Sequence, residues 1–158
     1  MLMKPEQKQE FTRRIINANK SDLVVILYDM FHQDVAEAID YCSNGNHEGM
    51  HSEISGARLV LSELINSLDR EYEVANNLYS IYRFVERRLI EADIKKSDIG
   101  LYDADRLMSK LGESFKKIAV KDNEPPIMQN VEKVYAGVTY GKGMINETSA
   151  SINRGMLA

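Results

Sequence analysis

One group of residues in this chain has the spacing of a catalytic metal site. His47, Glu48 and His51 form the pattern H-E-x-x-H. On a helix this spacing places two imidazoles one turn apart, where they bind zinc while the glutamate acts as a general base. Here Gly45 precedes the motif closely and Gly49 lies within it, which predicts a weak, solvated helix start rather than a rigid ligand frame. We interpret these as surface histidines, with a zinc hydrolase as the alternative.

Other reactive side chains are few. Cys42 is the only cysteine, and it falls on a predicted apolar helix face, which is typical of a small buried side chain rather than a nucleophile. The chain has three histidines, and no Ser/His/Asp or Cys/His arrangement can be assembled from them. We therefore expect a protein that is not an enzyme, with no catalytic residue, no metal and no cofactor.

Length and composition exclude several other classes of protein. A chain of 158 residues predicts one domain. The net charge is −4 and the positive residues do not cluster, so nucleic acid is not an expected partner. No apolar run reaches the roughly 18 residues that a membrane span needs, and the first ten residues are too polar for a secretory signal. With one cysteine and no disulfide, the cytoplasm is the expected compartment.

Apolar periodicity and composition divide the chain into three parts. Residues 1–20 are predicted to be a mobile N-terminal segment with a short amphipathic helix, and residues 121–158 an irregular tail that packs on or near the rest. Residues 21–120 contain four helical stretches joined by short linkers, near 21–45, 47–68, 71–92 and 97–120. Short linkers favour antiparallel neighbours, so the predicted fold is all-α, an antiparallel up-and-down four-helix bundle.

Two of the four helices carry more apolar residues than one bundle core requires. On the first helix the surplus residues lie about 100–160° from the centre of the core stripe. On the third helix, three of them form a second line on one flank and one lies on the other flank. The surplus residues are Leu23, Ile26, Met30, Tyr72, Tyr79, Phe84 and Ile90. Contiguous exposed apolar surface usually marks a binding site, so we predict one here.

Three occupants of this surface are compatible with the pattern. A segment of the same chain could cover it, a second copy could form a homodimer, or a foreign peptide could bind. These alternatives are not exclusive, because a covering segment can be displaced by a partner. From the residues alone, the chain could therefore be a helical adaptor or a self-associating bundle that binds an amphipathic helix.

Three stretches resemble a known family. The sequence from Ser21 to Met30 is similar to the start of the main helix of the flagellin export chaperones, the FliS family. The stretch from Asn77 to Ala92 resembles the third-helix signature of that family, N-L-x-x-[LI]-Y-x-[YF] followed by R-L and a small residue. Leu64 to Asp69 is similar to the end of the preceding helix. The resemblance covers roughly residues 10–120.

The resemblance implies a cytoplasmic bacterial chaperone rather than an enzyme. Such a protein binds the disordered C-terminal segment of flagellin in apolar grooves, prevents premature polymerisation and supports delivery to the flagellar export apparatus. This is helix-in-groove recognition coupled to folding. The surplus residues on the first and third helices would then be the flagellin-binding residues. The family also implies that the N-terminal segment occupies part of the groove in the empty state, with Phe11, Ile15 and Ile16 as the plug.

The chain departs from the family pattern at several places. Met30 stands where the family commonly has glycine, which enlarges the apolar surface. The tail extends beyond the common core, and we expect Tyr135 and Tyr140 to anchor it on the bundle because these aromatic residues are spaced by glycine.

Overall fold

Helices account for most of residues 4–128, the part of the chain that the computed structural model describes. Within that part there are five helices and no strand: α1 (Pro5–Ile16), α2 (Lys20–Ser43), α3 (His47–Asn66), α4 (Glu73–Lys95) and α5 (Ile99–Val120). None of these five helices combines the length and the apolar character that crossing a membrane would require.

Helices α2 to α5 form a closed ring in which each helix packs against the one before it and the one after it, and α5 closes the ring on α2. Contacts between opposite helix ends show that neighbours run antiparallel. His51 near the start of α3 bonds to Asp93 near the end of α4, and Ser21 at the start of α2 bonds to Asp122 just after α5. The predicted up-and-down four-helix bundle is therefore confirmed.

The first bundle helix begins one residue earlier than the sequence pattern predicts. Its cap is Asn19, whose Oδ1 accepts a hydrogen bond from the Asp22 amide at 2.9 Å, while the Asp22 carboxylate accepts one from the Asn19 amide at 3.2 Å. This reciprocal pair satisfies two amides that would otherwise lack partners. Asp22 is therefore the partner of the cap rather than the cap itself. At the other end Gly45 has φ +73°, a left-handed conformation that favours glycine and ends the α2 segment as expected.

The core is built from one stripe of each bundle helix. The buried apolar residues of this core cluster are Tyr28, Phe31, Val35, Ala38, Met50, Ile54, Ala57, Val60, Leu61, Leu64, Tyr82, Val85, Leu89, Ala92, Leu101, Ala104 and Met108. Two apolar residues of α4 and α5, Val74 and Ile118, are exposed. Both lie near a helix end, where the neighbouring helix no longer covers the stripe.

The remaining described segments meet at the junction between α1 and α2. Helix α1 packs against α2. After α5 the chain turns back, and the Ile127 amide donates a hydrogen bond to the Ala18 carbonyl at 3.0 Å. The predicted tail anchors Tyr135 and Tyr140 lie outside the described residues, so their packing stays a prediction.

Candidate peptide-binding site

A cleft of about 500 Å³ opens between α1, α2 and α5. Its lining residues are Arg13, Arg14, Asn17, Asp22, Val25, Ile26, Asp29, Lys116, Ala119 and Val120. Val25 and Ile26 are buried, yet neither belongs to the core cluster of the bundle. This cleft therefore has an apolar floor that the bundle interior does not use.

Helix α1 forms one wall of the cleft, and an ion pair joins it to α2. The Arg14 Nη2 lies 2.8 Å from the Asp29 Oδ2 of α2, and the Lys116 Nζ of α5 lies 3.7 Å from the other oxygen of the same carboxylate. Helix α1 itself has no buried residue. Part-exposed ion pairs of this kind contribute little stability, typically about 0–1 kcal/mol each. The cover over the apolar floor is therefore weakly held.

The three predicted plug residues differ in their surroundings. Phe11 is half-buried, and the Arg14 guanidinium lies 5.7 Å from its ring centroid. Ile15 and Ile16 are exposed, the latter at 47%. The expectation that both isoleucines insert into the groove was wrong, because α1 turns them toward solvent and faces α2 partly with Arg14.

The α2 surplus residues are less exposed than the sequence suggests. Ile26 is only 3% exposed and lies on the cleft floor, so its predicted exposure was wrong: the cleft walls include α1, which periodicity cannot place. Met30 is half-buried and packs against the core cluster, so it is not surplus either. Leu23 is half-buried and lies outside the core cluster. The floor residue that the sequence analysis missed is Val25, whose position next to Ile26 gave no periodic signal.

A second groove, of about 480 Å³, lies on the outer face of α4. It is lined by Phe84, Arg87, Arg88, Ile90, Glu91, Ile94 and Lys95. Phe84 is 43% exposed and Ile90 is half-buried, so two predicted residues lie together here. Ile94, which the sequence analysis missed, adds an exposed apolar side chain at the same surface.

Ion pairs fix the basic side of this second groove. The Arg88 guanidinium pairs with Glu91 on α4 and lies 2.7 Å from the Asp103 carboxylate on α5. The hydrogen bond from Arg88 to Asp103, with one from Arg106, holds the pKa of Asp103 below its usual range. Arg87 has no ion-pair partner among residues 4–128, which leaves one positive charge free beside Phe84 and Ile90.

Tyr72 and Tyr79 do not line either groove. Tyr72 is the exposed residue that precedes α4. Tyr79 is half-buried, and the Arg70 guanidinium covers its ring at 3.9 Å from the centroid. A cation at this distance is attracted to the ring face, so that face already has an occupant within the chain.

The seven predicted binding residues therefore do not form one surface. Helices α2 and α4 stand at opposite corners of the ring, so their outer faces point in different directions. The structure brings Phe84 and Ile90 together on α4 and places Ile26 in the α1 cleft. A single partner would have to wrap around the bundle to contact both.

The residues that suggested zinc chemistry have structural roles or are exposed. The His51 Nδ1 lies 2.6 Å from the Asp93 Oδ2 and links α3 to α4, while His47 is exposed at the start of α3. Across residues 4–128, no group of three His, Cys, Asp or Glu side chains is placed to hold a metal ion. Burial and, to a smaller extent, the charge of Asp98 raise the pKa of the Cys42 thiol, which disfavours the reactive thiolate.

A helical bundle with an apolar cleft floor and an apolar strip on α4 is typical of a helical binding protein, and comparison with known proteins gives the family. Residues 3–122 match the family FliS, described as "Flagellar protein FliS". The chain is 24% identical over 106 residues to the flagellar secretion chaperone FliS of Escherichia coli strain K12, covering 65% of this chain and 78% of that protein. It is also 24% identical over 110 residues to the protein of the same name from Salmonella typhimurium strain LT2, covering 68% and 82%.

The family match covers most of the chain, so this protein belongs to the FliS family of flagellar secretion chaperones. The resemblance seen in the sequence is thereby confirmed. The family is not enzymatic, so the prediction that this protein is not an enzyme is also confirmed.

Proposed function

We propose that this protein binds the disordered C-terminal segment of flagellin in its apolar grooves. Binding would prevent premature polymerisation and keep the subunit competent for delivery to the flagellar type III export apparatus in the bacterial cytoplasm. The relatives are named as flagellar secretion chaperones, and a secretion chaperone has to recognise a segment that is unfolded before export. Helix-in-groove recognition with coupled folding suits such a client.

The observation that carries this proposal is the floor of the α1 cleft. Val25 and Ile26 are buried outside the core cluster, in a cleft walled by a helix that has no buried residue of its own. Complete burial of each such side chain is worth about 1.5–3 kcal/mol. A client segment that offers apolar side chains would take the place of α1 over this floor and keep both residues buried.

We infer that α1 is the cover that the client displaces. Its contacts to the bundle include the carboxylate of Asp29, which is held by Arg14 and Lys116. Displacement exchanges the weak Arg14–Asp29 pair for apolar contacts, and it leaves Asp29 and Lys116 paired with each other. In the empty state the same cover keeps Val25 and Ile26 from promoting aggregation.

The α4 groove suits a second part of the same client. Phe84, Ile90 and Ile94 offer an apolar strip, and the unpaired Arg87 would attract a carboxylate from the client. The two grooves are on different sides of the bundle, so we propose that the client wraps around it. A homodimer through the exposed α4 face is the alternative that Phe84 and Ile94 also favour.

Titration of the cognate flagellin C-terminal segment, followed by fluorescence anisotropy, tests the proposal. The informative variant is Val120→Asp, because Val120 lines the α1 cleft and is 83% exposed, so its replacement leaves the core intact. Ile118→Asp is the matched control, since this residue is also exposed on α5 but does not line the cleft. We expect Val120→Asp to weaken binding about tenfold and the control to leave it unchanged.

Two results would contradict this function. If Val120→Asp and Ile118→Asp change flagellin binding equally, the cleft is not part of the binding site. No binding of flagellin to the unaltered protein, together with dimers in analytical ultracentrifugation, would support the self-associating bundle instead.

A further inference from the structure

The segment that follows α5 is bonded to the connection between α1 and α2. We name residues 122–128 the strap and residues 17–19 the hinge. The Ile127 amide donates to the Ala18 carbonyl at 3.0 Å, and the Asn19 Nδ2 donates to the Glu124 carbonyl at 3.1 Å. Just beyond the hinge, the Ser21 hydroxyl donates to the Asp122 carboxylate. These three bonds join parts of the chain that are more than a hundred residues apart.

The strap is built to hold one conformation. The Glu124 amide donates to the Asp122 Oδ1 at 2.9 Å, which closes a local turn. The bonds from Ser21 and from the Glu124 amide lower the pKa of Asp122, so this carboxylate stays charged and accepting at neutral pH. Pro125 and Pro126 follow directly and restrict the backbone before Ile127. A preorganised strap loses little conformational entropy when it docks.

Two of the three hinge residues are buried although the hinge connects two helices. Ala18 is 2% exposed and Asn19 is 5% exposed, and neither belongs to the core cluster. A connection of this kind normally lies on the surface. Because the strap bonds directly to both residues, it shields them from water.

We propose that the strap is a latch that controls the release of α1 from the cleft. For α1 to swing away, the backbone dihedral angles of the hinge must change, and this moves the Ala18 carbonyl and the Asn19 side chain away from their partners on the strap. The strap therefore adds the cost of breaking these bonds to the opening of the cleft. The family match ends at residue 122, so all of the strap except Asp122 lies beyond the matched region.

The experiment is hydrogen exchange of the full chain with a double variant, Asn19→Asp and Ile127→Pro. Aspartate retains the cap that accepts from the Asp22 amide, but it cannot donate to Glu124. Proline removes the donor to Ala18. The matched control is Ile127→Ala alone, which loses the side chain and keeps the amide that donates to Ala18.

We expect the amides of α1 to exchange about tenfold faster in the double variant than in the control, with α3 and α4 unchanged. The proposal is overturned if the strap exchanges faster while α1 does not. It is also overturned if neither segment changes, because the two bonds would then not hold the strap at all.

The effect of the latch on flagellin binding rests on the proposed function, and it is measured separately, as the affinity for the flagellin segment. If the cleft binds flagellin, the double variant should bind the flagellin segment several-fold more tightly than the control does, because opening costs less. Faster exchange of α1 without any flagellin binding would sustain the latch and reject the proposed function. Flagellin binding that is equal in both proteins, with unchanged α1 exchange, would reject the latch and sustain the function.

Discussion

The phenol oxygens of Tyr28 and Tyr82 lie 2.7 Å apart in the buried core of the bundle. Tyr28 belongs to α2 and Tyr82 to α4, so this hydrogen bond joins helices at opposite corners of the ring. The Tyr28 ring also stacks on Phe115 of α5, with centroids 5.3 Å apart. Burial raises the pKa of both phenols, so the pair stays neutral and one hydroxyl donates to the other.

Removing one partner of this pair should cost more than removing both. Tyr82→Phe leaves the Tyr28 hydroxyl buried without a partner, which we expect to lower the free energy of unfolding by about 1–3 kcal/mol. The double variant Tyr28→Phe and Tyr82→Phe should recover part of this loss, because no polar group is then stranded. Urea denaturation of the two single variants and the double variant measures the coupling. Strictly additive losses would show that the bond contributes nothing.

Asp34 should make the bundle less stable as the pH rises. It is 1% exposed on α2; burial and then the nearby Glu53 carboxylate raise its pKa to about 7. In the unfolded chain its pKa is about 3.9. The free energy of unfolding therefore falls between about pH 4 and pH 7, where the unfolded chain ionises Asp34 more readily than the fold does, and this loss is constant above about pH 7. Asp34→Asn should therefore raise the free energy of unfolding by about 1–2 kcal/mol at pH 8 and have little effect at pH 4.

Asp40→Asn is the control for that variant, because Asp40 is exposed on the same helix. Urea denaturation at both pH values gives the comparison. If Asp34→Asn has the same effect at pH 4 as at pH 8, the buried carboxylate does not ionise within this range in the folded protein.

The ion pairs of Asp29 should govern how firmly α1 is held. Asp29→Asn weakens the attraction to both Arg14 and Lys116. Because such pairs contribute about 0–1 kcal/mol each, we expect α1 to open up to several-fold more often, with little change in global stability. Tryptic cleavage after Arg13 and Arg14 under native conditions reports this opening.

Glu10→Gln is the matched control for cleavage in α1. It removes the pair between Glu10 and Arg13 inside the helix and leaves the contacts to the bundle intact. Cleavage accelerated equally by both variants would mean that fraying of α1, rather than its release from the cleft, determines access.

Replacing two glycines of α5 by alanine should change the stability of the protein in opposite directions. A Cβ at Gly100 would lie 2.7 Å from the Arg88 carbonyl oxygen of α4, so Gly100→Ala should cost about 1–3 kcal/mol by forcing the helices apart. At Gly112 the nearest atom is the Tyr28 side chain at 3.5 Å, an ordinary contact. Gly112→Ala should therefore stabilise the protein by about 0.5–1 kcal/mol through helix propensity. Thermal unfolding decides the signs, and a loss at Gly112 would contradict this account of α5 packing.

The bundle could be predicted from sequence because its core follows a local rule. Met50, Ile54, Ala57, Leu61 and Leu64 recur at helical spacing, and all five are buried. Periodicity identifies which residues share a face of one helix, so four such stripes were sufficient to predict the four-helix bundle.

The candidate site could be predicted only in part, because a stripe does not reveal which element covers it. Ile26 looked exposed from α2 alone, but it is buried in a cleft walled in part by α1. Asp34 and Glu53 would be assigned to the surface by their charge, yet both are buried between other residues of the fold. The hydrogen bonds of the strap join residues about a hundred positions apart, and no local sequence pattern predicts them.

The central claim is that a client replaces α1 over the floor formed by Val25 and Ile26. Hydrogen exchange of the full chain, with and without saturating cognate flagellin C-terminal segment, tests it directly. We predict that bound flagellin accelerates exchange in α1 (Pro5–Ile16) while residues 23–30 of α2 stay protected. Saturation with flagellin that leaves α1 as protected as in the empty protein would contradict it.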